Sequence, residues 1–242
     1  MKTSAKKTSR PLFQLCFLAV AAASLAGTAS AESVIFGGIE GSSAGSYSYF
    51  GGVTPFQGEQ LGQGWYQKAV VSLNRYRYES TERGPAEEVN GRVPGIEAGI
   101  GRAWQKDQQT LDLSATVGYR HVSLTPFEPA DEKTGSVFTL NPQLMASTPL
   151  VHKLDADLIA NYSIGLSSSF ARLRAGYQSD SGWRAGIEGK RLEGRNYLQQ
   201  AAGVFVAVPL NDKLKLELNA GRIKPRDQDS ASYAGVAFSM VF

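Results

Sequence analysis

His121 and Ser123 come nearest, of all residues in this sequence, to a covalent catalyst by type and spacing. A histidine within reach of a serine hydroxyl can take its proton and leave an oxygen nucleophile. The same chemistry asks for a carboxylate to orient the imidazole. Glu128 and Glu132 follow in the chain, and neither has a spacing that selects it. Asp155-x-Asp157 places two carboxylates where an extended chain would turn both to one side, as a cation ligand pair or as plain charge. The rest of the inventory is thin. There are two histidines, His121 and His152, too few for a clustered imidazole metal site. No His-Glu-x-x-His, P-loop, dinucleotide or Gly-x-Ser-x-Gly context occurs, and no cofactor is expected.

Residues at i and i+2 share a side only on a β-strand, so the strands that would carry these groups decide what they can do. Residues 1–31 form no part of them. Lys2, Lys6, Lys7 and Arg10 precede an apolar run, and Ala29-Ser30-Ala31 supplies a small-residue cleavage site. This is the pattern of a secretory signal peptide, leaving 32–242 as the mature domain. The lone Cys16 departs with it, and so do four basic residues. The +3 charge of the whole chain thus becomes about −1, and the basic balance is no argument for nucleic acid. No later stretch is long and apolar enough for a transmembrane helix.

Alternation with period two runs through most of 32–242. Leu111, Leu113, Ala115, Val117 and Tyr119 oppose Asp112, Ser114, Thr116, Gly118 and Arg120. Leu214, Leu216, Leu218 and Ala220 oppose Lys215, Glu217, Asn219 and Gly221. Reading on in this way gives strands at 33–39, 46–54, 65–78, 92–104, 110–123, 136–147, 154–165, 169–178, 183–193, 197–208, 213–224 and 231–242. That is an all-β chain, an antiparallel transmembrane β-barrel of about twelve strands, or ten if the weakest are dropped. Such a barrel keeps its termini in the periplasm, which puts the long connections 79–91 and 124–135 outside. The inner connection 55–64 is longer than that rule favours.

Three further features fit a barrel in a Gram-negative outer membrane. Trp65, Trp104 and Trp183 each fall at the periplasmic end of a strand and on its apolar side, as a membrane-interface girdle requires. The last strand ends on Phe242, with Met240, Phe238, Val236 and Ala234 on the same side. It looks like the C-terminal signal that such barrels present to the barrel assembly machinery. Charges on the lipid side cost most at the midplane and little at the interfaces. Arg75, Arg77, Arg92, Arg191 and Arg222 share that side and gather at the outer end, where lipopolysaccharide phosphates lie. Arg102, near the inner end, would have to snorkel. The opposite side is polar and mixed in sign: Lys68, Asn74, Glu97, Asp112, Arg120, Asp155, Asp157, Asn161, Arg172, Arg174, Glu188, Lys190, Lys215, Glu217 and Asn219. Twelve strands lie between a filled interior and an aqueous channel, so both stay open. Glu79, Glu82, Glu87, Glu88, Glu128, Asp131 and Glu132 make the two long outer connections acidic.

Two resemblances follow. His121-x-Ser123 looks like the His-x-Ser pair of outer-membrane lipid A deacylases, which implies a lipid-modifying enzyme as one alternative. Over most of the chain, GWYQKAVVSLNRYRYES, GYRHVSLTP and RAGYQSDSGWRAGIEGKRLEGRNYLQQAAG resemble the BcsS family of cellulose-biosynthesis proteins. The matching elements are Gly64-Trp65, Tyr76 and Tyr78, Gly176-Tyr177, Gly186-Ile187-Glu188 and Tyr197. The family pattern sets an arginine between that last tyrosine and a glycine; here Ala201 stands before Gly203. The resemblance implies a non-enzymatic outer-membrane barrel serving cellulose or exopolysaccharide production or export. It implies no catalytic residues, and it makes Tyr76, Tyr78, Glu188 and Tyr197 the positions for glycan contact. Its implied partners are the glycan, its export machinery and outer-membrane lipid. A general small-solute pore is the remaining alternative.

Overall fold

The computed structural model describes residues 32–80, 85, 87–126, 134–194, 197–226 and 229–242. Residues 1–31, and Glu82, Glu128, Asp131 and Glu132 of the connections, lie outside them. Twelve strands run in chain order: β1 Val34–Ser42, β2 Gly45–Pro55, β3 Gly64–Ser80, β4 Glu87–Lys106, β5 Gln109–Thr125, β6 Gly135–Val151, β7 Leu154–Ser163, β8 Ser168–Gln178, β9 Arg184–Glu193, β10 Leu198–Pro209, β11 Leu214–Pro225 and β12 Ala231–Val241. Each pairs antiparallel with its chain neighbours, and β1 pairs with β12 to close the barrel. The first strand, the faintest in the sequence, is therefore the one that seals the sheet. Closure leaves no free edge along the body of the barrel, where backbone donors pair between strands without water, as a bilayer demands. The seam is completed beyond the strands, where the Ser33 and Phe242 amides each donate to the other's carbonyl at 2.9 Å.

Register carries the alternation into two surfaces. Val71, Ile96, Ile100, Leu113, Val117, Leu173, Ile187, Val204 and Leu218 point out, where most are conspicuously exposed. The inward positions are mostly polar or small. Glycine makes room there for large rings. A Cβ at Gly203 would lie 2.2 Å from the Tyr233 hydroxyl, and one at Gly221 2.8 Å from the Tyr233 ring. The Tyr233 ring thus lies flat across two strands.

All twelve strands fall where the alternation puts them, with three ends that depart by three residues or more. β4 begins at Glu87 instead of 92, β6 continues to Val151 instead of 147, and β1 runs to Ser42 instead of 39. In β4 the added turn of the sheet reads Glu87-Glu88-Val89-Asn90-Gly91, with Val89 as its one apolar marker. One apolar residue among charges shows no period, yet Val89 is 1% exposed. The tail of β6 is masked by Pro149 and a register shift between Pro149 and Val151.

The long strands β3 to β6 form one third of the wall and rise above their neighbours at the end away from the termini, here the distal rim. There Val89, Val93, Val122 and Leu124 form an apolar cluster on the inner side, with Tyr76, Tyr78 and Leu166 packed against it.

Candidate functional site

The interior of the barrel holds the chemistry. Its densest part is a single hydrogen-bonded network. Arg174 on β8 donates from Nε to Glu188 on β9 at 2.8 Å. Its two terminal nitrogens fork onto Glu217 of β11 at 2.8 and 2.7 Å. Glu188 also accepts from the Tyr233 hydroxyl at 2.7 Å and from Asn219 at 3.1 Å. Lys190 bridges Glu188, at 2.8 Å, to Glu40 of β1. Around the closed sheet β1 and β9 stand four strands apart, and β8 and β11 three, so these contacts are chords through the lumen. The side chains of Arg174 and Glu188 are 2% and 0% exposed. Phe205 lies among them, with the guanidinium carbons of Arg174 and Arg184 4.4 and 4.8 Å from its ring centre.

Buried charge is tolerable only when each lone pair and proton is matched, and this network comes close to that condition. Facing it across the lumen, Glu97 accepts from Asn141 at 3.0 Å and pairs with Arg120 at 3.5 Å. Nearer the terminal end, Tyr66 donates to Asp112 and Lys68 to Gln143, both at 2.6 Å. Arg184 pairs with both Asp155 and Asp157. The Asp-x-Asp carboxylates are thus engaged by a guanidinium. They also line a cavity of about 510 Å³ at the terminal mouth, with Lys153, Gln178 and Asp180. Among the described residues no group of three His, Cys, Asp or Glu could hold a metal.

Aromatic rings line the β2–β3 wall from mid-lumen to the distal rim. Tyr47 and Tyr49 stack at 5.6 Å between centres. Tyr76 is level with the first residue of β2, Gly45, and stacks with Tyr78 at 6.2 Å. The Tyr76 ring lies over Gly91, where a Cβ would come within 2.3 Å of it. Tyr197 stands on the β9–β10 connection at the same end and is 43% exposed. Of the four residues singled out for glycan contact, three therefore gather at the distal rim. Glu188 sits apart, enclosed in the mid-lumen network.

The outward-facing residues are where parity puts them. Trp65, Trp104 and Trp183 point outward at the terminal end, between 38% and 42% exposed, and Phe242 joins them at 40%. Arg102 does not stand alone there, for its guanidinium carbon lies 5.5 Å from the Trp65 ring centre and 5.3 Å from that of Trp104. Arg75, Arg77, Arg92, Arg191 and Arg222 all face outward near the distal end. Arg191 pairs with Glu193 at 2.8 Å and Arg77 with Glu88 at 3.8 Å. His121 has its hydrogen bond to Ser136 on the next strand, at 3.3 Å, and Ser136 is also bonded to Tyr119 at 2.6 Å.

Several lumen residues escape sequence reasoning. Glu40 lies just past the expected end of its strand. Tyr233 has the parity opposite to Phe242, which is a usable signal for an inward ring. Phe205 is apolar yet faces inward, and nothing in the pattern marks it.

Solved structures share this architecture. An outer membrane channel from Pseudomonas putida F1 superposes with a TM-score of 0.53 at 13% identity, covering 87% of this chain and 94% of that one. A deletion mutant of TodX, the Pseudomonas putida toluene transporter, gives 0.53 at 9% identity over 91% and 94%. At these identities the likeness is one of fold, that of outer-membrane barrels. No curated protein matches the sequence. The profile of the family described as cellulose biosynthesis protein BcsS covers residues 34–242, from the first residue of β1 to the end of the chain. The chain belongs to the BcsS family of cellulose biosynthesis proteins.

Proposed function

We propose that, once residues 1–31 are removed, the chain is a non-enzymatic outer-membrane barrel that meets exported cellulose at the cell surface and helps export or organise it. The distal rim is then its outer face, and Tyr76, Tyr78 and Tyr197 are its contacts with the glucan. The observation that carries this is the stacked Tyr76–Tyr78 pair at that rim, in a chain whose family is tied to cellulose. A β-linked glucose ring presents a C–H face that packs on an aromatic face, while hydroxyls around its edge seek polar partners. The chords through the lumen support a role at the mouth over one as a wide conduit for polymer. The hydrogen bond of His121 to Ser136, and not to Ser123, supports the non-enzymatic reading. Export machinery, outer-membrane lipid and the barrel assembly machinery, engaged through the strand ending at Phe242, complete the proposed partners.

The test is genetic and quantitative. A strain lacking the gene is complemented with the natural chain or with Tyr76→Ala/Tyr78→Ala, and surface cellulose is measured by dye binding and by the fraction shed into medium. The natural chain should restore attached cellulose and the double variant, present at equal level in the outer membrane, should not. Unchanged cellulose in the deletion strain would overturn the proposal.

A further inference from the structure

One rung of the barrel's outer surface sets two guanidiniums between two hydroxyls. Register pairs Ser46 with Arg75, Arg75 with Arg92, and Arg92 with Ser123. Cross-strand partners share a face, so two hydroxyls and two guanidiniums stand in a row across β2, β3, β4 and β5. Their face is outward, since the residues flanking them, Tyr76 and Val93, point in.

Two like charges directly opposite each other on one face repel. Elsewhere at this end the protein supplies the counter-charge. Arg191 has Glu193, and Arg77 has Glu88 and the Ser43 carbonyl. Arg75 and Arg92 have no ion pair among the described residues. The described carboxylates nearest on this face, Glu79 and Glu88, pair with each other two rungs beyond the arginines, and Glu88 is held by Arg77 and Asn90.

What lies below the row is the second observation. One rung towards the membrane centre, on the same face, come Leu73 and Pro94. Two rungs down, register aligns Phe50, Val71, Ile96, Tyr119 and Phe138 across five strands. The two guanidiniums thus stand two rungs above an aromatic and aliphatic band, with Ser48, Leu73, Pro94, His121 and Ser136 on the rung between. The arrangement matches a molecule with a phosphoryl head and several acyl chains lying against the wall. Guanidinium groups bind phosphoryl oxygens through paired, charge-assisted hydrogen bonds.

We infer that Ser46, Arg75, Arg92 and Ser123 form a binding site for a phosphoryl group of lipid A, with its acyl chains on Leu73, Val71, Ile96 and Phe138. The site rests on the outer-membrane, distal-end-outward reading proposed above, but not on the glucan contacts of the rim.

The full barrel purified in detergent is titrated with bisphosphorylated lipid A, and bound lipid is counted by native mass spectrometry. Arg75→Gln/Arg92→Gln should weaken binding about tenfold or more, the scale of losing charge-assisted hydrogen bonds. Arg102→Gln, at the opposite end of the barrel beside Trp65 and Trp104, should leave it unchanged. Heat-modifiable migration checks that each variant is folded. The natural chain should bind dephosphorylated lipid A as weakly as the double variant binds the intact lipid, a comparison that needs no variant to fold. Equal binding of intact and dephosphorylated lipid A would overturn the site. So would phosphatidylglycerol or inorganic phosphate competing as well as lipid A does, because the row would then be a general anion contact.

Discussion

Arg174 offers the sharpest test of the lumen network. Replacing it with methionine keeps an unbranched apolar stem and removes every donor. Glu188 would keep Lys190 at 2.8 Å, Tyr233 at 2.7 Å and Asn219 at 3.1 Å, so its loss is small. Glu217 fares worse, since both of its hydrogen bonds come from Arg174. It is 25% exposed, so water can reach it, and Arg172 remains near. Removing one partner of a buried ion pair costs about 3–5 kcal/mol, and partial hydration puts this case near the lower end, about 3 kcal/mol. Urea unfolding of the barrel in lipid vesicles, followed by tryptophan emission, measures it. The double-mutant cycle gives the discriminating sign. Glu217→Gln should destabilise the natural chain by about 1–2 kcal/mol, yet be neutral or stabilising once Arg174 is gone. If Glu217→Gln costs the same in both backgrounds, the fork between these residues contributes nothing and the reasoning fails.

Other expectations follow from the same geometry. Single-channel recording in planar bilayers should show small conductance for the natural chain and a clear rise for Glu40→Ala/Lys190→Ala, which cuts the β1–β9 chord; an unchanged current would mean that ions pass elsewhere. Deleting Phe242 removes a reciprocal pair of backbone hydrogen bonds at the seam, worth about 1 kcal/mol each, and should lower the yield of heat-modifiable barrel in the outer membrane. Gly221→Leu drives a side chain into the Tyr233 ring and should cost about 1–3 kcal/mol as overpacking does, read in the same unfolding assay. Emission of Trp65, Trp104 and Trp183 should be quenched more by lipids brominated near the headgroup than by those brominated at the chain end; the reverse order would displace the girdle from the interface.

The faces were legible because alternation is a local property. Leu111 to Arg120 declares both surfaces of β5 within ten residues, and every lumen position inferred from such runs does point inward. Strand ends were less legible where charges outnumber apolar markers, as from Glu87 to Gly91. Pairing inside the lumen was not legible at all. Glu40 and Lys190 are 150 positions apart, and their meeting depends on closure, shear and side-chain length together. Parity told that both face inward, but several acids and several bases share that property. The rim tyrosines came from family likeness, and their stacking follows from Tyr76 and Tyr78 being two apart on one strand. The Arg75–Arg92 adjacency needed the β3–β4 register, which a connection of uncertain length hides from the sequence.

The unequal strand lengths shape how anything reaches the mouth. β2 ends level with Tyr76, and Asn161 of β7 pairs with Gln143, so β3 to β6 overtop their neighbours by four residues on one flank and about six on the other. At roughly 3.4 Å per residue this is a parapet some 13–20 Å tall along the strands. It walls off four of the twelve strands, a third of the circumference, and leaves the rest low. A stiff filament lying on the cell surface would therefore approach from the low side alone and come to rest against the inner, tyrosine-bearing face of the wall. The barrel has a front and a back, and on the function proposed above its rotation in the membrane plane would set the heading of the glucan.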